Sequence, residues 1–463
     1  MFDINLRKYG KAPSLITCHS TISYEDLDHI CLSIEKILPN KKQLILVKAK
    51  VNVETIIGYL SFLRANHAVI LLDASTEDTL MENIIETYQP NLIWEECIDS
   101  NEYLMKYQSY GLKAYNSINL KLHTDLALML STSGTTGSPK MVKLTKDNLY
   151  ANCTSIVQYL NIDNTHRAIT SLPLYYSYGI SILNTHLEQG ASIVVTDTSI
   201  MSKDFWTIFN KYSVTTLSGV PYNYEIFRRI GFMKMNLPSL KYMTQAGGKL
   251  NQKLVHEYAS WATENNIEFC IMYGQTEATA RMSYLPLNRT LEKTNSIGIA
   301  IPNGIFKIKD LNGDNFIDGI DTDGELIYHG KNVMMGYATC LHDLSKGDEL
   351  KGDLHTGDVA QRDKDGYYYI TGRIKRFIKI HGNRVGLDEI EHYLKSLSFD
   401  VLCTGVDNKL MIATLNEDKI KEIKEIIIKT YAFHHSVVKI KYIKEYPVTN
   451  AGKIQYQNLI EDF

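Results

Sequence analysis

The feature that most constrains the fold is a series of short apolar runs in the first 130 residues, separated by helical segments. The runs 44–47, 68–72 and 126–130 have the length and composition of buried strands, and residues 53–63 have the character of a helix. Strands that alternate with helices favour parallel sheets covered on both faces. The sequence therefore predicts an α/β fold with a large N-terminal domain of mostly parallel sheets.

After about residue 300 the pattern changes to short strands punctuated by turn dipeptides. These dipeptides are Asn312-Gly313, Asp318-Gly319, Asp323-Gly324 and Asp365-Gly366. Dipeptides of this kind are typical of hairpin turns. We therefore expect an antiparallel subdomain in this part of the chain.

The C-terminal residues have the pattern of a small α+β domain. Apolar residues recur at helical spacing between two strand-like segments, 411–415 and 437–443, namely at Ile420, Ile423, Ile427 and Tyr431. We predict a large domain over residues 1–372 and a small, mobile domain over residues 373–463. The stretch 371–463 carries a net charge of +3, against −6 for the rest of the chain.

Composition and charge exclude several classes of protein. With 49 basic and 52 acidic residues, no whole-chain basic field exists for binding nucleic acid. The seven cysteines are scattered and never form a C-x-x-C pair, which suits a reducing cytosol and argues against a disulfide framework or a zinc site. The N-terminal residues lack the apolar core of a signal peptide, and we find no apolar stretch long enough for a membrane span. We expect a cytoplasmic protein.

A loop rich in glycine and hydroxyl groups follows the third apolar run. Residues 131–140 read S-T-S-G-T-T-G-S-P-K. Glycines allow a close backbone approach, and hydroxyls with exposed N–H groups suit anionic oxygens. The spacing is not that of a Walker loop, and a plain surface loop of small polar residues is the alternative. The candidate phosphate ligands are Thr132, Ser133, Gly134, Thr135, Thr136, Gly137 and Lys140.

This loop resembles the phosphate loop of the adenylate-forming superfamily, which contains acyl-CoA synthetases, free-standing adenylation domains and luciferases. The family pattern T-S-G-[ST]-T-G-x-P-K-G is matched in order by residues 132–140. The next position differs, because Met141 stands where glycine is usual. We interpret this difference as a change in loop packing that leaves the phosphate donors intact.

Two further segments are similar to family motifs. Gln245-Ala246-Gly247-Gly248 resembles the segment whose backbone flanks the adenine, although alone it could be a plain tight turn. The run 271–277 resembles the Y-G-x-T-E motif. The resemblance implies that Tyr273 stacks on adenine, that Thr276 reaches the phosphate, and that Glu277 holds Mg²⁺. Without the upstream loop, this run would be only the start of a helix with an acidic first turn.

The resemblance continues toward the C-terminus. Residues 335–337 (Met-Gly-Tyr) match a structural stretch to which we assign no chemistry. Asp358 lies in a T-G-D motif whose carboxylate accepts hydrogen bonds from the ribose hydroxyls, and Arg373 resembles the arginine that also contacts the ribose. The alternative for Asp358 is an ordinary turn residue beside a glycine.

The family's hinge, its thiol-tunnel loop and its C-terminal motif are also matched in this sequence. Lys375 occupies the position of the hinge between the two domains, while Arg376 replaces a frequent aspartate. Gly382 corresponds to the loop that lines the thiol tunnel. Residues 447–453 resemble the C-terminal P-x-T-x-x-G-K motif, which implies that Lys453 bridges the substrate carboxylate and the α-phosphate. Considered alone, Lys453 would be an ordinary solvated lysine.

The sequence limits the substrate only loosely. Residues 173–179 match the P-x-x-H-x-x-G segment beside the acyl pocket, with Tyr176 in place of histidine. The resemblance also places Gly274 at this pocket. Relatives that activate amino acids place an aspartate in this region, and none occurs from 170 to 183, which disfavours an α-amino acid. A small to medium aliphatic, hydroxy or aromatic acid remains open.

The resemblance implies a two-step ligase. A carboxylic acid is activated by ATP and Mg²⁺ as an acyl-adenylate, and a thiol then accepts the acyl group as a thioester. The thiol is coenzyme A or the phosphopantetheine arm of a carrier protein, and the charge of +3 on residues 371–463 is too small to decide between them. Two alternatives stay open: a nucleotide-binding scaffold without activity, and an adenylating enzyme with an acceptor that is not a thiol.

Overall fold

The computed structural model describes residues 6–97, 102–131, 140–311, 313–374, 376–380, 383–431, 433–448, 454–461 and 463. The chain divides into two compact units. The first unit comprises Met1–Thr294, Ala300–Ile305 and His329–Leu354, and the second comprises Asn295–Ile299, Phe306–Tyr328 and His355–Phe463. The predicted boundary near residue 373 stays a prediction.

Both units contain α-helices, numbered in chain order. They are α1 (Tyr24–Glu35), α2 (Val53–Arg64), α3 (Asp78–Tyr88), α4 (Lys146–Leu160), α5 (Ser177–Glu188), α6 (Lys203–Lys211), α7 (Pro221–Arg229), α8 (Gln252–Glu264), α9 (Leu387–Ser396), α10 (Ile420–Tyr431) and α11 (Tyr456–Glu461). No helix in the described part of the chain combines the length and apolar character needed to cross a membrane.

The strands before residue 294, all in the first unit, are β1 (Pro13–Ile16), β2 (Thr21–Ser23), β3 (Leu44–Ala49), β4 (Ala68–Asp73), β5 (Leu92–Glu96), β6 (Tyr103–Tyr107), β7 (Tyr110–Ala114), β8 (Leu126–Ser131), β9 (Met141–Thr145), β10 (Arg167–Ile169), β11 (Ser192–Val194), β12 (Thr216–Gly219), β13 (Tyr242–Gln245), β14 (Glu268–Tyr273) and β15 (Ser283–Tyr284). The remaining strands are β16 (Ile299–Ala300), β17 (Ile305–Lys309), β18 (Phe316–Ile317), β19 (Gly324–His329), β20 (Gly336–Ala338), β21 (Asp353–Arg362), β22 (Tyr368–Arg373), β23 (Phe377–Ile380), β24 (Asn383–Gly386), β25 (Val401–Val406), β26 (Lys409–Thr414) and β27 (Val438–Tyr442).

Two large mixed sheets organise the first unit. One sheet has the order β20-β9-β8-β4-β3-β5-β7-β6, and its central strands β8, β4, β3 and β5 are parallel. Leu46 and Ile70 are fully buried in the apolar cluster on one face of this sheet, and the next residues along, Val47 and Leu71, are fully buried in the cluster on the other face. Burial of both faces explains why the strands are continuous apolar runs, and it confirms the predicted parallel strands.

The other large sheet has the order β16-β15-β14-β13-β12-β10-β11-β1-β2. Strands β14, β13, β12, β10, β11 and β1 run parallel. The chain passes from β10 to β11 on one side and then returns to β12 on the other side of β10. In open α/β sheets, ligands bind at the carboxyl ends of the strands near such a reversal. The loops after β10, β12, β13 and β14 are therefore the natural places for a site.

The second unit contains smaller sheets. A five-stranded sheet has the order β18-β17-β19-β21-β22, in which β17–β18 and β21–β22 are antiparallel pairs. The C-terminal part has the hairpin β23–β24, the sheet β25-β26-β27 and helices α9 to α11. The expected antiparallel subdomain and the α+β character of the C-terminal part are thus confirmed.

One strand near the glycine-hydroxyl loop was not predicted. Strand β9 lies between this loop and α4, and it pairs antiparallel with β8 so that Ser131 faces Met141. Met141 is 1% exposed and packs in the apolar cluster beneath this sheet, together with Met129 and Ala338. A side chain at this position therefore contributes to the core, which agrees with the interpretation of a packing change.

Candidate active site

Several predicted site residues lie outside the described residues. They are Thr132, Ser133, Gly134, Thr135, Thr136 and Gly137 of the loop, the hinge residue Lys375, Gly382 and Lys453. Their roles stay predictions. The described residues Ser131 and Met141 pair across β8 and β9, so the two ends of the glycine-hydroxyl loop lie side by side at the carboxyl end of β8.

The predicted adenine segment follows β13. Gly247 has a φ of +82°, a conformation that favours glycine. A Cβ atom at Gly247 would lie 2.5 Å from the hydroxyl oxygen of Tyr176, so the Tyr176 side chain packs directly against the backbone of this loop. The structure therefore brings together two predicted site segments, the loop after β13 and the start of α5. Burial raises the pKa of Tyr176 well above its usual range, which keeps its hydroxyl protonated.

The Y-G-x-T-E segment follows the neighbouring strand β14. A Cβ atom at Gly274 would lie 1.7 Å from the carbonyl oxygen of Ala280, so only glycine permits this close approach. Thr279 and Ala280 have positive φ values of 58° and 103°. Backbone strain of this kind concentrates at functional sites. The tight turn places Thr276 and Glu277 at the carboxyl edge of the sheet.

Thr276 is buried and directed toward α5. Its hydroxyl lies 3.2 Å from the hydroxyl of Ser177, the first residue of that helix. The start of α5 and the turn after β14 therefore share a polar contact. Ser177 is a site neighbour that the sequence analysis did not single out.

Glu277 has a neutral partner. The hydroxyl of Tyr337 donates a hydrogen bond to Glu277 Oε1 over 2.9 Å, and the Lys140 ammonium lies 3.4 Å from the centroid of the same ring. Burial and the charge of Glu277 raise the pKa of Tyr337 well above its usual range, so its hydroxyl remains a donor. Tyr337 thus connects the last residue of the glycine-hydroxyl loop to the predicted metal carboxylate.

The residues around Glu277 fit a hard divalent cation. The described hydrogen bond engages only Oε1 of the carboxylate, and no lysine or arginine of the described chain lies within ion-pair distance of Glu277. Mg²⁺ is commonly held by one protein carboxylate together with phosphates and waters. Glu277 is therefore the side chain that would hold the metal.

In the second unit, Asp358 and Arg373 are partners across two strands. They are opposite residues of β21 and β22, and Asp358 Oδ1 lies 2.8 Å from Arg373 Nε. Asp358 is 2% exposed, whereas the arginine side chain is 60% exposed. The structure thus brings together the two residues that were predicted to contact a ribose.

Arg376 lies within a largely buried network of the second unit. Its guanidinium forms ion pairs with Asp388 and Glu391, donates to the carbonyl oxygen of Cys403 over 2.6 Å, and stacks 3.7 Å from the ring centroid of Tyr456. Burial raises the pKa of Glu391, but Lys395 and Arg376 outweigh this effect and lower it. The arginine that replaces the usual aspartate is therefore a structural cation.

Arg281 is a buried arginine in the first unit, on the turn between β14 and β15. It is 2% exposed. It donates to the sulfur of Met272, to the hydroxyl of Ser181 and, over 3.3 Å, to the hydroxyl of Tyr159. Its guanidinium also lies 4.4 Å from the ring centroid of Tyr178.

Sequence reasoning missed Tyr337, Ser177 and Arg281. Tyr337 lies in the stretch 335–337, which matches the family but carries no assigned chemistry. Ser177 lies in the segment beside the expected acyl pocket, so its position in the sequence could have identified it as a neighbour of the site. Arg281 follows the Y-G-x-T-E motif by four residues, and nothing in its neighbours along the chain indicates burial.

The chain is similar to known proteins over most of its length. The model of the family described as AMP-binding enzyme matches residues 2–338. This range contains the glycine-hydroxyl loop, the adenine segment and the Y-G-x-T-E motif.

Two curated relatives are CoA ligases by name. The chain is 26% identical over 356 residues to 4-coumarate–CoA ligase-like 6 of Arabidopsis thaliana, covering 72% of this chain and 62% of that protein. It is 26% identical over 355 residues to oxalate–CoA ligase of the same plant, covering 73% and 68%. The match thus spans less than two thirds of the first relative.

A solved structure has the same fold. The o-succinylbenzoate CoA synthetase of Bacillus subtilis, in complex with its acyl-adenylate intermediate, matches with a TM-score of 0.80 at 19% identity, covering 99% of this chain and 97% of that one.

Proposed function

Because the chain belongs to the AMP-binding enzyme family, we propose that it activates a small carboxylic acid with ATP and then transfers the acyl group to a thiol. In the first step, a carboxylate oxygen attacks the α-phosphorus, which yields acyl-AMP and releases pyrophosphate. In the second step, the thiol sulfur attacks the acyl carbon, which yields a thioester, AMP and a proton.

The observation that carries this proposal is the arrangement around Tyr337. One aromatic side chain contacts both an anion and a cation: Glu277 accepts from its hydroxyl, and the Lys140 ammonium lies over its ring. A triphosphate needs a cation near its oxygens and a carboxylate for its metal. Both groups lie at the carboxyl ends of strands, where ligands of α/β folds bind.

In the first step the protein mainly aligns and neutralises two anions. When bound, Mg²⁺ supplies positive charge to the phosphates, and Glu277 would hold it. Lys140 adds a second cation at the end of the phosphate loop. Lys453 is proposed to lie at the reacting centre, and Asp358 with Arg373 to bind the ribose.

Coenzyme A is the acceptor that the relatives favour, since the names of both curated relatives specify it. The phosphopantetheine arm of a carrier protein is the second possible thiol. The acid is proposed to be small, and the lack of an aspartate between 170 and 183 disfavours an α-amino acid.

ATP–pyrophosphate exchange with a panel of acids tests the first step. We expect exchange with at least one small acid, and thioester formation when coenzyme A is added. If pyrophosphate exchange occurs but neither coenzyme A nor a carrier protein is converted to a thioester, the acyl group has an acceptor that is not one of these thiols. Binding of ATP without exchange across a broad panel would contradict the proposal and favour an inactive scaffold.

Substitution of Lys453 separates the two steps. Lys453→Ala should lower adenylation by about two to three orders of magnitude, because the charge at the reacting centre is lost. Thioester formation from supplied acyl-AMP should be largely spared. Lys444, an exposed lysine of the same unit, provides the control Lys444→Ala, which should change neither step. An equal loss in both steps would assign Lys453 a different role.

A further inference from the structure

Arg281 is a buried cation with which no described aspartate or glutamate forms an ion pair. Its Nε donates to no described group. The guanidinium stays charged at any physiological pH. A buried charge is normally paired, because removal from water costs several kcal/mol. Arg281 is therefore a buried charge without an anion among its described neighbours.

Arg281 Nη2 donates to the hydroxyl of Ser181 over 3.1 Å, but the acceptors of Nη1 are weak. The 2.7 Å contact of Nη1 is with the thioether sulfur of Met272, and a thioether is a poor acceptor. The other contact of Nη1, with Tyr159, is long. Methionine is flexible and can move without disrupting its surroundings. A carboxylate in the place of this sulfur would form charge-assisted hydrogen bonds, which are roughly twice as strong as neutral ones.

The neighbours of Arg281 belong to the segments expected to surround the acid. Met272 immediately precedes Tyr273, and Tyr178 and Ser181 lie on the first turns of α5, just after Tyr176. The hydroxyl of Tyr178 lies 2.8 Å from that of Thr244, which immediately precedes the adenine segment. The cation thus lies beneath the carboxyl ends of the strands, behind the expected acyl pocket.

We propose that Arg281 binds a second carboxylate of the acid, so that the substrate is a dicarboxylic acid. This inference rests on the proposed function and specifies its substrate class. One carboxylate of the acid reacts with ATP, and the other reaches the guanidinium in place of the Met272 sulfur. Arg281 is then a specificity-determining residue that takes no part in the chemical step.

The test is ATP–pyrophosphate exchange with acids matched in length: succinate against butyrate, glutarate against pentanoate, and adipate against hexanoate. We expect the wild-type protein to prefer one diacid over its monoacid partner by at least about a hundredfold in kcat/KM, because loss of a buried charged contact has effects of this size. In Arg281→Met this preference should disappear or reverse, mainly through the KM of the diacid. Arg281→Lys should retain part of it.

The control is Arg289→Met, which removes an exposed arginine of the same unit and should leave the preference unchanged. Equal use of monoacids and diacids by the wild-type protein, or an equal loss of both in Arg281→Met, would overturn this inference and leave the proposed function intact. Absence of exchange with every acid would overturn the proposed function and this inference with it. If Arg281→Met does not fold, the inference is tested by the diacid preference of the wild-type protein and of Arg281→Lys.

Discussion

Arg281 in the first unit is buried and Arg376 in the second is largely buried, but their surroundings are opposite. Arg376 contacts two carboxylates, a carbonyl oxygen and an aromatic ring. Arg281 contacts two hydroxyls, a thioether and an aromatic ring. Removal of a charge from water is costly in either place. Among the described contacts, only Arg376 has carboxylates of its own chain that offset this cost. The comparison separates a charge that serves the fold from one that is placed for a ligand.

The same distinction applies to the carboxylates. Glu391 is held by Arg376, Lys395 and the backbone N–H of Cys403. Glu277 is held by the neutral hydroxyl of Tyr337. The ionisable groups of the candidate site in the first unit thus have neutral partners, whereas those of the network in the second unit neutralise one another. Asp358 and Arg373 are intermediate, because they pair with each other while the arginine stays largely exposed.

The largest expected effect is that of Arg376→Met on the second unit. This change leaves the buried Glu391 and the partly buried Asp388 without the guanidinium, which should lower the free energy of unfolding of this unit by about 3–5 kcal/mol. Amide hydrogen exchange in α9 and β25 measures the loss, and we expect much faster exchange there.

The three tryptophans provide a control for this experiment. Trp94, Trp206 and Trp261 all lie in the first unit, so denaturation followed by tryptophan fluorescence reports that unit. It should be unchanged in Arg376→Met. Unchanged protection of α9 and β25 would mean that the ion pairs contribute little, and the comparison with Arg281 would lose its basis.

Acid should affect the two units at different pH values. Burial lowers the pKa of His67 and of His186 to about 4, below the usual value of about 6.5. Stability from a neutral buried histidine is fully present above the unfolded value and is lost as the pH falls from about 6.5 toward 4. Each should therefore destabilise the first unit by about 2 kcal/mol between pH 8 and pH 5. Because the pKa of Glu391 is lowered, its contribution to the second unit should be lost only below about pH 4.3.

Urea denaturation followed by tryptophan fluorescence at pH 8 and pH 5 measures the effect in the first unit. His67 accepts a hydrogen bond from the Gln43 backbone N–H at Nδ1, a contact that glutamine can replace. His67→Gln should therefore remove about half of the pH dependence. The exposed His434 provides the control His434→Gln, which should change nothing. A first unit equally stable at both pH values would show that these histidines titrate normally.

Strands and helices of the parallel sheets were predictable because burial on both faces leaves a direct mark in the sequence. The runs that became β3, β4 and β8 are continuous apolar segments, and α2 lies where the helical segment was expected. Strand β9 was missed because Lys143 interrupts its apolar residues Val142 and Leu144. A lysine does not indicate a buried position. Its ammonium is fully buried and donates to the carbonyl oxygens of Asp343 and Lys346, far away in sequence.

The site was predictable only where its chemistry is local in sequence. Tyr273, Thr276 and Glu277 follow one another within a motif, and the structure places them at the carboxyl end of β14. The roles of Tyr337 and Arg281 depend on contacts with residues that are distant along the chain. Burial of a cation without an anion cannot be inferred from neighbours in sequence.

Tyr337→Phe tests whether the neutral partner of Glu277 matters for metal binding. The change keeps the ring beneath Lys140 but removes the hydrogen bond to the carboxylate. A hydrogen bond to a charged group contributes about 1.5–3 kcal/mol. We expect the Mg²⁺ concentration for half-maximal exchange to rise about tenfold. Tyr222→Phe, at an exposed tyrosine of the same unit, is the control. An unchanged Mg²⁺ requirement would reduce Tyr337 to a packing residue.

The smallest expected effect is that of Arg281→Met on stability, and it completes the comparison with Arg376→Met. Methionine removes the same charge in both places, but at Arg281 no described carboxylate is left behind. Burial of a charge costs several kcal/mol, and an apolar side chain of similar size does not carry this cost. We therefore expect the free energy of unfolding of the first unit to change by less than about 1 kcal/mol, measured by tryptophan fluorescence in urea. A loss comparable to that in Arg376→Met would mean that the hydroxyls and the ring already stabilise this guanidinium fully, and that Arg281 serves the fold in the same way as Arg376.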